Sequence, residues 1–203
     1  KVNKANLTRE SQMSASLRRE FQSQEEIHVL GVEVKAILFI NGPQGYETLV
    51  HFSGHPCSLE VIVPHGSDNG PIRRFCMERG IKIGERAKGV PHLLEPDSHD
   101  YLVSSLFPYK ILPEEYNQAS IAAVNIHGAV LPKYKGKNAG VWALINDEKR
   151  IGMTLHRINE KFDDGEILHI DYHEINDEMS LDDIQKLLAK SLLRIVNLLV
   201  AGE

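Results

Sequence analysis

Residues 34–45 read VKAILFINGPQG, and the architecture of the chain follows from this stretch. Its first seven residues form a nearly continuous apolar run, which is typical of a strand buried on both faces of a parallel sheet. The NGP segment then breaks the run, as expected of a loop at the carboxyl end of a strand. Residues 59–63, LEVIV, repeat the apolar pattern. Two buried strands are therefore predicted, with a helix between them over residues 46–52.

Short strands continue to alternate with helical stretches along the rest of the chain. Strands are predicted at residues 81–83, 101–103, 121–124, 151–156 and in part of 167–173, and helices at 71–79 and from 181 onward. Ser180 and Asp183 predict a capping box for the last helix, with Asp in place of the usual Glu. Strands that alternate with helices indicate βαβ units, so the predicted class is α/β with a mostly parallel central sheet.

The composition is that of one globular domain: 203 residues, 42% hydrophobic and 25% charged. Lys and Arg number 23 against 28 Asp and Glu, and the resulting net charge of −5 argues against a general nucleic-acid binder. The sequence holds no run of eighteen apolar residues, so no membrane span is predicted. Cys57 and Cys76 are too few for a disulfide scaffold, and no apolar leader precedes them. A cytoplasmic protein is therefore expected.

Ten histidines raise the question of a metal site. His51 and His55 are four residues apart, as are His169 and His173, but neither pair has a cysteine or acidic partner at ligand spacing. No metal is therefore predicted. The chain also lacks a Gly-x-Gly-x-x-Gly motif after its first strand, and this absence argues against a dinucleotide site.

Asn125 and His127 form the most informative pair of polar residues. They lie two residues apart at the end of a predicted strand, so both side chains point to the same face. The carboxyl ends of strands are where open α/β sheets bind ligands. An amide there can stabilise a developing oxyanion, and an imidazole can move a proton. Taken alone, such a pair is more often structural.

Two motifs in this region resemble a known enzyme family. Residues 125–136, NIHGAVLPKYKG, are similar to the Asn-x-His hallmark of formyltransferases that use 10-formyltetrahydrofolate, with Ala129 where the family usually has serine. Residues 163–168, DDGEIL, match the family's second signature, Asp-x-Gly-x-Ile/Leu-Leu. The resemblance is greatest to sugar-nucleotide N-formyltransferases. It implies a Rossmann-like formyltransferase fold, with residues 34–203 as the catalytic domain and residues 1–33 as a weakly ordered N-terminal extension.

The resemblance also implies catalytic roles for three residues. Asn125 would donate a hydrogen bond to the oxyanion. His127 would either accept the proton of the amine or stabilise the oxyanion. Asp163 would orient His127 and support its charged form. Its neighbour Asp164 is the rival carboxylate, but the Asp-x-Gly register selects Asp163, and Asp164 is expected to be a solvated turn residue.

Two binding regions are expected beside these residues. The family binds its folate through strand-end and loop backbone, which the resemblance places at Tyr109, Lys110, Ile111, Leu112 and Phe162. Ile111 and Leu112 could equally belong to the core. The cations Lys133, Lys135 and Lys137 could bind phosphates of the acceptor substrate, although a solvated charge run is the simpler interpretation.

The resemblance therefore implies an enzyme that moves a formyl group from 10-formyltetrahydrofolate to a primary amine, with a nucleotide-linked amino sugar as the favoured acceptor. The alternatives are a methionyl-tRNA or glycinamide-ribonucleotide formyltransferase, a hydrolase of the same donor, and a binding protein that retains the fold. The expected partner is a small-molecule substrate, with neither a membrane nor a nucleic acid. A homo-oligomer is left open.

A chain that starts at residue 29 is expected to fold and to keep its activity. Residues 1–28 lack the buried periodicity that would attach them to a sheet, and the first strand is predicted only from residue 34. Thermal unfolding and turnover of the shortened chain, measured beside the full chain, provide the test. Failure of the shortened chain to fold would show that the extension belongs to the core or to an oligomer interface.

Overall fold

The structure is a computed structural model that describes residues 33–93, 95 and 98–201. Residues 1–32, which make up nearly all of the predicted extension, lie outside the described residues, so that division of the chain stays a prediction. In chain order the elements are β1 (Val34–Ile40), α1 (Gly42–Phe52), β2 (Cys57–Pro64), α2 (Gly70–Arg79), β3 (Lys82–Arg86), β4 (His99–Ser105), α3 (Pro113–Tyr116), β5 (Ala119–His127), α4 (Ala139–Ile145), β6 (Arg150–Arg157), β7 (Ile167–Glu174) and α5 (Leu181–Ala201).

The strands form one sheet in the order β3-β2-β1-β4-β5-β6-β7. Strands β1 to β5 run parallel, whereas β6 runs antiparallel to both of its neighbours. The predicted α/β class with a mostly parallel sheet is confirmed. The strand order reverses between β1 and β4, and in open α/β sheets ligands bind at the carboxyl ends of the strands beside such a reversal.

The two faces of β1 are buried in different ways, which explains its continuous apolar run. Ala36, Leu38 and Ile40 face the layer of α1, α2 and α5 and belong to the larger core cluster. Ile37 and Phe39 face the other side, where Phe107 and Ile111 from the segment after β4 cover them. That segment is also part of the predicted folate region, so the same residues close the core and approach the carboxyl edge of the sheet.

The helices α3 and α4 were not predicted from the sequence. Among the predicted helices the boundaries differ mainly at α1, which begins at Gly42 rather than at residue 46. Pro43 occupies its first turn, where the missing N–H of proline removes no helical hydrogen bond. At α5 the predicted capping box is present. The Asp183 N–H donates to Ser180 Oγ at 3.2 Å, and the Ser180 N–H donates to Asp183 Oδ2 at 3.0 Å.

Among the described residues, no helix is both long and apolar enough to cross a membrane. The longest helix, α5, instead buries one face against the sheet and against α1. Its residues Leu192, Ile195 and Leu199 are almost completely shielded from solvent and join the larger core cluster.

Replacing Leu192 with Ala is expected to lower the free energy of unfolding by about 2–5 kcal/mol, because the change leaves a cavity beneath α5. Its neighbour Leu193 is the matched control. Leu193 is 40% exposed, against 1% for Leu192, so Leu193→Ala is expected to cost less than about 1 kcal/mol. Urea denaturation of both variants measures the difference, and equal losses would contradict the described packing of α5.

Candidate active site

The structure brings Asn125, His127 and Asp163 together at the carboxyl end of β5. Asn125 and His127 are on β5 itself, and Asp163 lies in the connection between β6 and β7. The Asn125 amide Nδ2 is 3.3 Å from Asp163 Oδ1, and His127 Nδ1 is 3.5 Å from Asp163 Oδ2. Residues 38 positions apart in the sequence therefore meet in one polar cluster.

The carboxylate of Asp163 is the centre of this cluster. Its side chain is only 10% exposed. Besides Asn125 and His127, it faces His156 Nε2 at 3.4 Å and accepts a hydrogen bond from the Gly136 N–H at 2.8 Å. A buried charge is tolerated only when neighbouring groups compensate it. The Asn125 amide and the Gly136 N–H donate to this carboxylate, and either imidazole compensates it when protonated.

Asp163 stays ionised because these partners outweigh its burial. Burial alone would raise the pKa of the carboxyl group. When His156 is protonated, its Nε2–H donates to the carboxylate. That hydrogen bond, the charge of His127 and the Gly136 N–H act against burial, and together they hold the pKa of Asp163 below its usual value. At neutral pH the cluster therefore contains a fixed negative charge beside two imidazoles.

The backbone carbonyl of Tyr134 determines how His127 can act. His127 Nε2 is 2.9 Å from that oxygen, and a carbonyl oxygen only accepts hydrogen bonds. Nε2 therefore carries a hydrogen in both protonation states. The other nitrogen, Nδ1, gains or loses the proton, and it is the one that faces Asp163.

His156 is a site residue to which the sequence analysis gave no role. It lies on β6 opposite Asn125 in the antiparallel register and is 2% exposed. Its Nδ1 donates to the carbonyl of Arg157 at 2.8 Å, so neutral His156 presents a bare Nε2 that accepts from Asn125 Nδ2 at 3.0 Å. Only the register between β5 and β6 reveals this contact, and residue spacing does not give that register.

Two further features hold the surrounding loops in place. Thr154 is completely buried and donates from Oγ1 to the carbonyl of Ala129 at 2.7 Å, while the Leu131 N–H donates to the same Oγ1 at 3.1 Å. Gly165 passes so close to β6 that a Cβ there would overlap the carbonyl oxygen of Arg157. The glycine of the Asp-x-Gly motif thus allows the turn after Asp163 to lie against the strand.

A cavity of about 1050 Å³ opens beside the cluster, with Asn125, His127 and Asp163 in its wall. This volume is large enough for a ligand of cofactor size. Four of the five residues expected to bind the folate line it as well, namely Tyr109, Lys110, Ile111 and Phe162. Leu112 is not among the lining residues, and its N–H donates to Glu115 Oε2 at 2.7 Å.

A buried ion pair holds the segment that carries these residues. Arg86, at the end of β3, donates to both carboxylate oxygens of Glu115 at 2.9 and 2.7 Å, and both side chains are almost fully buried. Arg86 also donates to the carbonyl of Lys110 at 2.8 Å. The backbone position of the predicted folate region therefore depends on Arg86 of β3, which lies 24 residues before Lys110 in the sequence.

The structure separates the three lysines expected to bind acceptor phosphates. Lys133 and Lys137 line the cavity, whereas Lys135 does not. Lys133 Nζ lies 3.0 Å from Glu148, and Lys135 pairs with Asp164, which is exposed as expected of a turn residue. Lys137 forms none of the ion pairs found in the described part of the chain. Within the same part, no group of three or more His, Cys, Asp or Glu side chains could hold a metal ion.

Comparison with known proteins gives consistent matches. A family model described as formyl transferase matches residues 68–196. The bifunctional polymyxin resistance protein ArnA of Wigglesworthia glossinidia brevipalpis is 35% identical over 105 residues, which are 51% of this chain. The chain spans only 15% of the length of that relative.

Solved structures share the fold. Phosphoribosylglycinamide formyltransferase from Bacillus halodurans superposes with a TM-score of 0.65 at 18% identity, covering 83% of this chain and 97% of that one. The sugar 3N-formyl transferase WlaRD, solved in the presence of dTDP and 5-N-formyl-THF, superposes with a TM-score of 0.60 at 21% identity, covering 83% and 64%. A sugar N-formyltransferase from a Shewanella species gives 0.57 at 16% identity, covering 83% and 71%.

The Asp163→Asn variant is expected to lose a stabilising charge whose effect depends on pH. Because folding lowers the pKa of Asp163, its ionised form stabilises the fold above the unfolded-state pKa of about 3.9. That contribution is lost as the pH falls through the lower folded-state pKa. The difference in unfolding free energy between wild type and variant should therefore narrow from about pH 5 to about pH 3.

Urea denaturation over this pH range measures the difference. Asp164→Asn is the matched control, because Asp164 is exposed and its ion pair with Lys135 is screened by solvent. A difference for Asp163→Asn that widens as the pH falls would contradict the described contacts.

Proposed function

The chain belongs to the formyl transferase family, and from this membership we propose that it transfers a formyl group from 10-formyltetrahydrofolate to a primary amine. The family predicted from the two sequence motifs is confirmed by the match over residues 68–196. The proposed activity rests on one observation: Asn125, His127 and Asp163 contact one another in the wall of one large cavity.

Formyl transfer needs a donor to the developing oxyanion and an acceptor for one proton. The bond from the formyl carbon to the folate nitrogen breaks as a bond to the amine forms. The amine loses a proton, and the folate nitrogen gains one. The carbonyl oxygen of the formyl group becomes negatively charged on the way. A hydrogen-bond donor fixed in position stabilises that charge without reorganising during the reaction.

Asn125 is the proposed donor to the oxyanion. One of its amide hydrogens is directed at His156, and the other at Asp163 Oδ1 over the longer distance of 3.3 Å. The longer and therefore weaker contact is the one that a bound oxyanion can replace. The bond with His156 keeps the amide plane in place during that exchange.

His127 and Asp163 are the proposed proton-accepting pair. The Tyr134 carbonyl already accepts the hydrogen on Nε2 of the imidazole. The proton of the amine is therefore accepted at Nδ1, which faces Asp163. The ionised Asp163 stabilises the imidazolium that results. The same pair can return the proton to the leaving nitrogen of the folate, because both side chains lie in the wall of the cavity proposed to bind it.

The proposed acceptor is a nucleotide-linked amino sugar. Two of the similar structures are sugar N-formyltransferases, and one of these was solved with dTDP and a formyl folate. Lys137 lines the cavity with no ion pair in the described residues, so it is available for a phosphate, and Lys133 lines the cavity beside it. A diphosphate needs only a few such charge-assisted contacts.

His127→Ala is expected to reduce turnover by about 10²–10⁴, the usual contribution of a positioned general base. Asn125→Ala should cost on the order of 10²–10³ if the amide stabilises the oxyanion. Both variants should stay folded, because each leaves the other groups around the Asp163 carboxylate in place. Steady-state assays with circular dichroism as a folding check measure these effects. Near-normal activity of a folded His127→Ala protein would show the proposed mechanism to be wrong.

The acceptor is tested with 10-formyltetrahydrofolate carrying a labelled formyl group. The protein is mixed in parallel with a nucleoside-diphosphate amino sugar, glycinamide ribonucleotide, methionyl-tRNA and no amine. Label is expected on the sugar nucleotide. Label found only on tRNA or on glycinamide ribonucleotide would overturn this choice of acceptor, and release of tetrahydrofolate without any amine would indicate a hydrolase.

A further inference from the structure

One tight loop holds two of the three proposed catalytic side chains through its backbone. The carbonyl of Tyr134 accepts from His127 Nε2 at 2.9 Å, and the N–H of Gly136 donates to Asp163 Oδ2 at 2.8 Å. The two backbone groups are two residues apart, so His127 and Asp163 are oriented by the same loop. A shift of this loop would move both groups together.

The conformation of the loop needs support from elsewhere. Tyr134 has a φ of 55°, in the left-handed region that residues other than glycine rarely adopt. Gly136, with a φ of 87°, meets no such restriction. Holding a tyrosine in this region costs on the order of 1–3 kcal/mol, and it persists only when surrounding contacts enforce it.

Glu148 provides those contacts. The Tyr134 hydroxyl donates to Glu148 Oε1 at 2.8 Å, and Lys133 Nζ donates to the same oxygen at 3.0 Å. Asn146 Nδ2 completes the arrangement by donating to the Tyr134 hydroxyl oxygen at 3.1 Å. The carboxylate therefore binds two consecutive side chains of the loop whose backbone orients His127.

The position of Glu148 is fixed by the elements on either side of it, α4 and β6. Its N–H donates to the carbonyl of Ala143 at 3.0 Å, which attaches it to the end of α4, and β6 begins two residues later at Arg150. Its side chain is 27% exposed, less than half the 69% of Lys133. The hydrogen bonds from Lys133 and Tyr134 lower the pKa of Glu148, so it remains an acceptor at neutral pH.

We propose that Glu148 is a positioning residue for the catalytic pair: it holds Tyr134 in its left-handed conformation, and Tyr134 and Gly136 in turn orient His127 and Asp163. This inference rests on the proposed function, because it assigns Glu148 to the same site. Glu148 acts through the loop and is not required to touch the reacting atoms. The sequence analysis attached no role to this residue.

The inference predicts a specific kinetic pattern. Without the Glu148 carboxylate the loop relaxes, and a misplacement of about 1 Å at a catalytic group can cost about 10²-fold in rate. Glu148→Ala is therefore expected to lower kcat by about 10–100-fold. The KM for 10-formyltetrahydrofolate should stay within about twofold, because three of the four proposed folate residues that line the cavity, residues 109–111, lie on a separate segment held by Arg86 and Glu115.

The experiment combines kinetics with hydrogen exchange of backbone amides followed by NMR. In Glu148→Ala the Gly136 amide, which donates to Asp163, should exchange at least about tenfold faster than in wild type. The amide of Val103 in the core strand β4 should be unaffected. Glu148→Gln keeps an oxygen for the Tyr134 hydroxyl and should recover most of kcat. The matched control is Lys149→Met, which changes a neighbouring ion pair with Asp147 and Asp177 and leaves the loop untouched.

Tyr134→Phe supplies a second test, because it removes the hydroxyl and keeps the ring. Its effects on kcat and on Gly136 exchange should not add to those of Glu148→Ala, since both changes remove the same hydrogen bond between Tyr134 and Glu148. If Glu148→Ala does not fold, Tyr134→Phe alone must still raise Gly136 exchange. Additive effects, or folded variants with unchanged Gly136 exchange, would overturn the role of Glu148. If wild type transfers no formyl group to any amine, the proposed function fails, while the exchange experiment still decides whether Glu148 holds the loop.

Discussion

The buried carboxylate of Asp163 is the constraint on which the arrangement of the site depends. A negative charge with 10% exposure must be compensated, and its compensating groups come from β5, from β6 and from the loop at Gly136. These elements meet where β6 runs antiparallel to β5 and places His156 opposite Asn125. In this pairing both imidazoles lie within 3.5 Å of a single carboxylate.

The core and the cavity share residues at the carboxyl edge of the sheet. Phe107 packs edge-to-face on Phe39, with ring centroids 5.4 Å apart, and Ile111 belongs to the same cluster. Phe107 and Ile111 also line the cavity. Ile111 can therefore belong both to the core and to the predicted folate region. One part of its side chain can pack in the core cluster while another part faces the cavity.

Much of the fold could be predicted from local patterns in the sequence. The continuous apolar run of residues 34–40 is sufficient to identify a strand buried on both faces, and Ser180 with Asp183 is sufficient to locate the start of α5. The common face of Asn125 and His127 follows from the two-residue period of a strand. Each of these features depends on interactions between neighbours in sequence, which is why the sequence alone reveals them.

The contacts that complete the site could not be predicted in this way. His156 reaches Asn125 across 31 residues through the register of two strands, and Tyr134 reaches His127 through a backbone carbonyl that is common to every residue type. Arg86 holds the predicted folate region through the side chain of Glu115 and the carbonyl of Lys110. Such contacts depend on tertiary packing and leave no periodic trace in the sequence.

The most direct measurement is a crystal structure of the protein with 5-formyltetrahydrofolate, a stable analogue of the proposed donor. The folate ring system is expected against residues 109–111, with the formyl group on the side of the cavity that holds the catalytic cluster. Asn125 Nδ2 should lie within hydrogen-bond distance of the formyl oxygen and should have given up its contact with Asp163. A folate bound elsewhere, with Asn125 still on Asp163 and His127 remote from the formyl group, would contradict the proposed site.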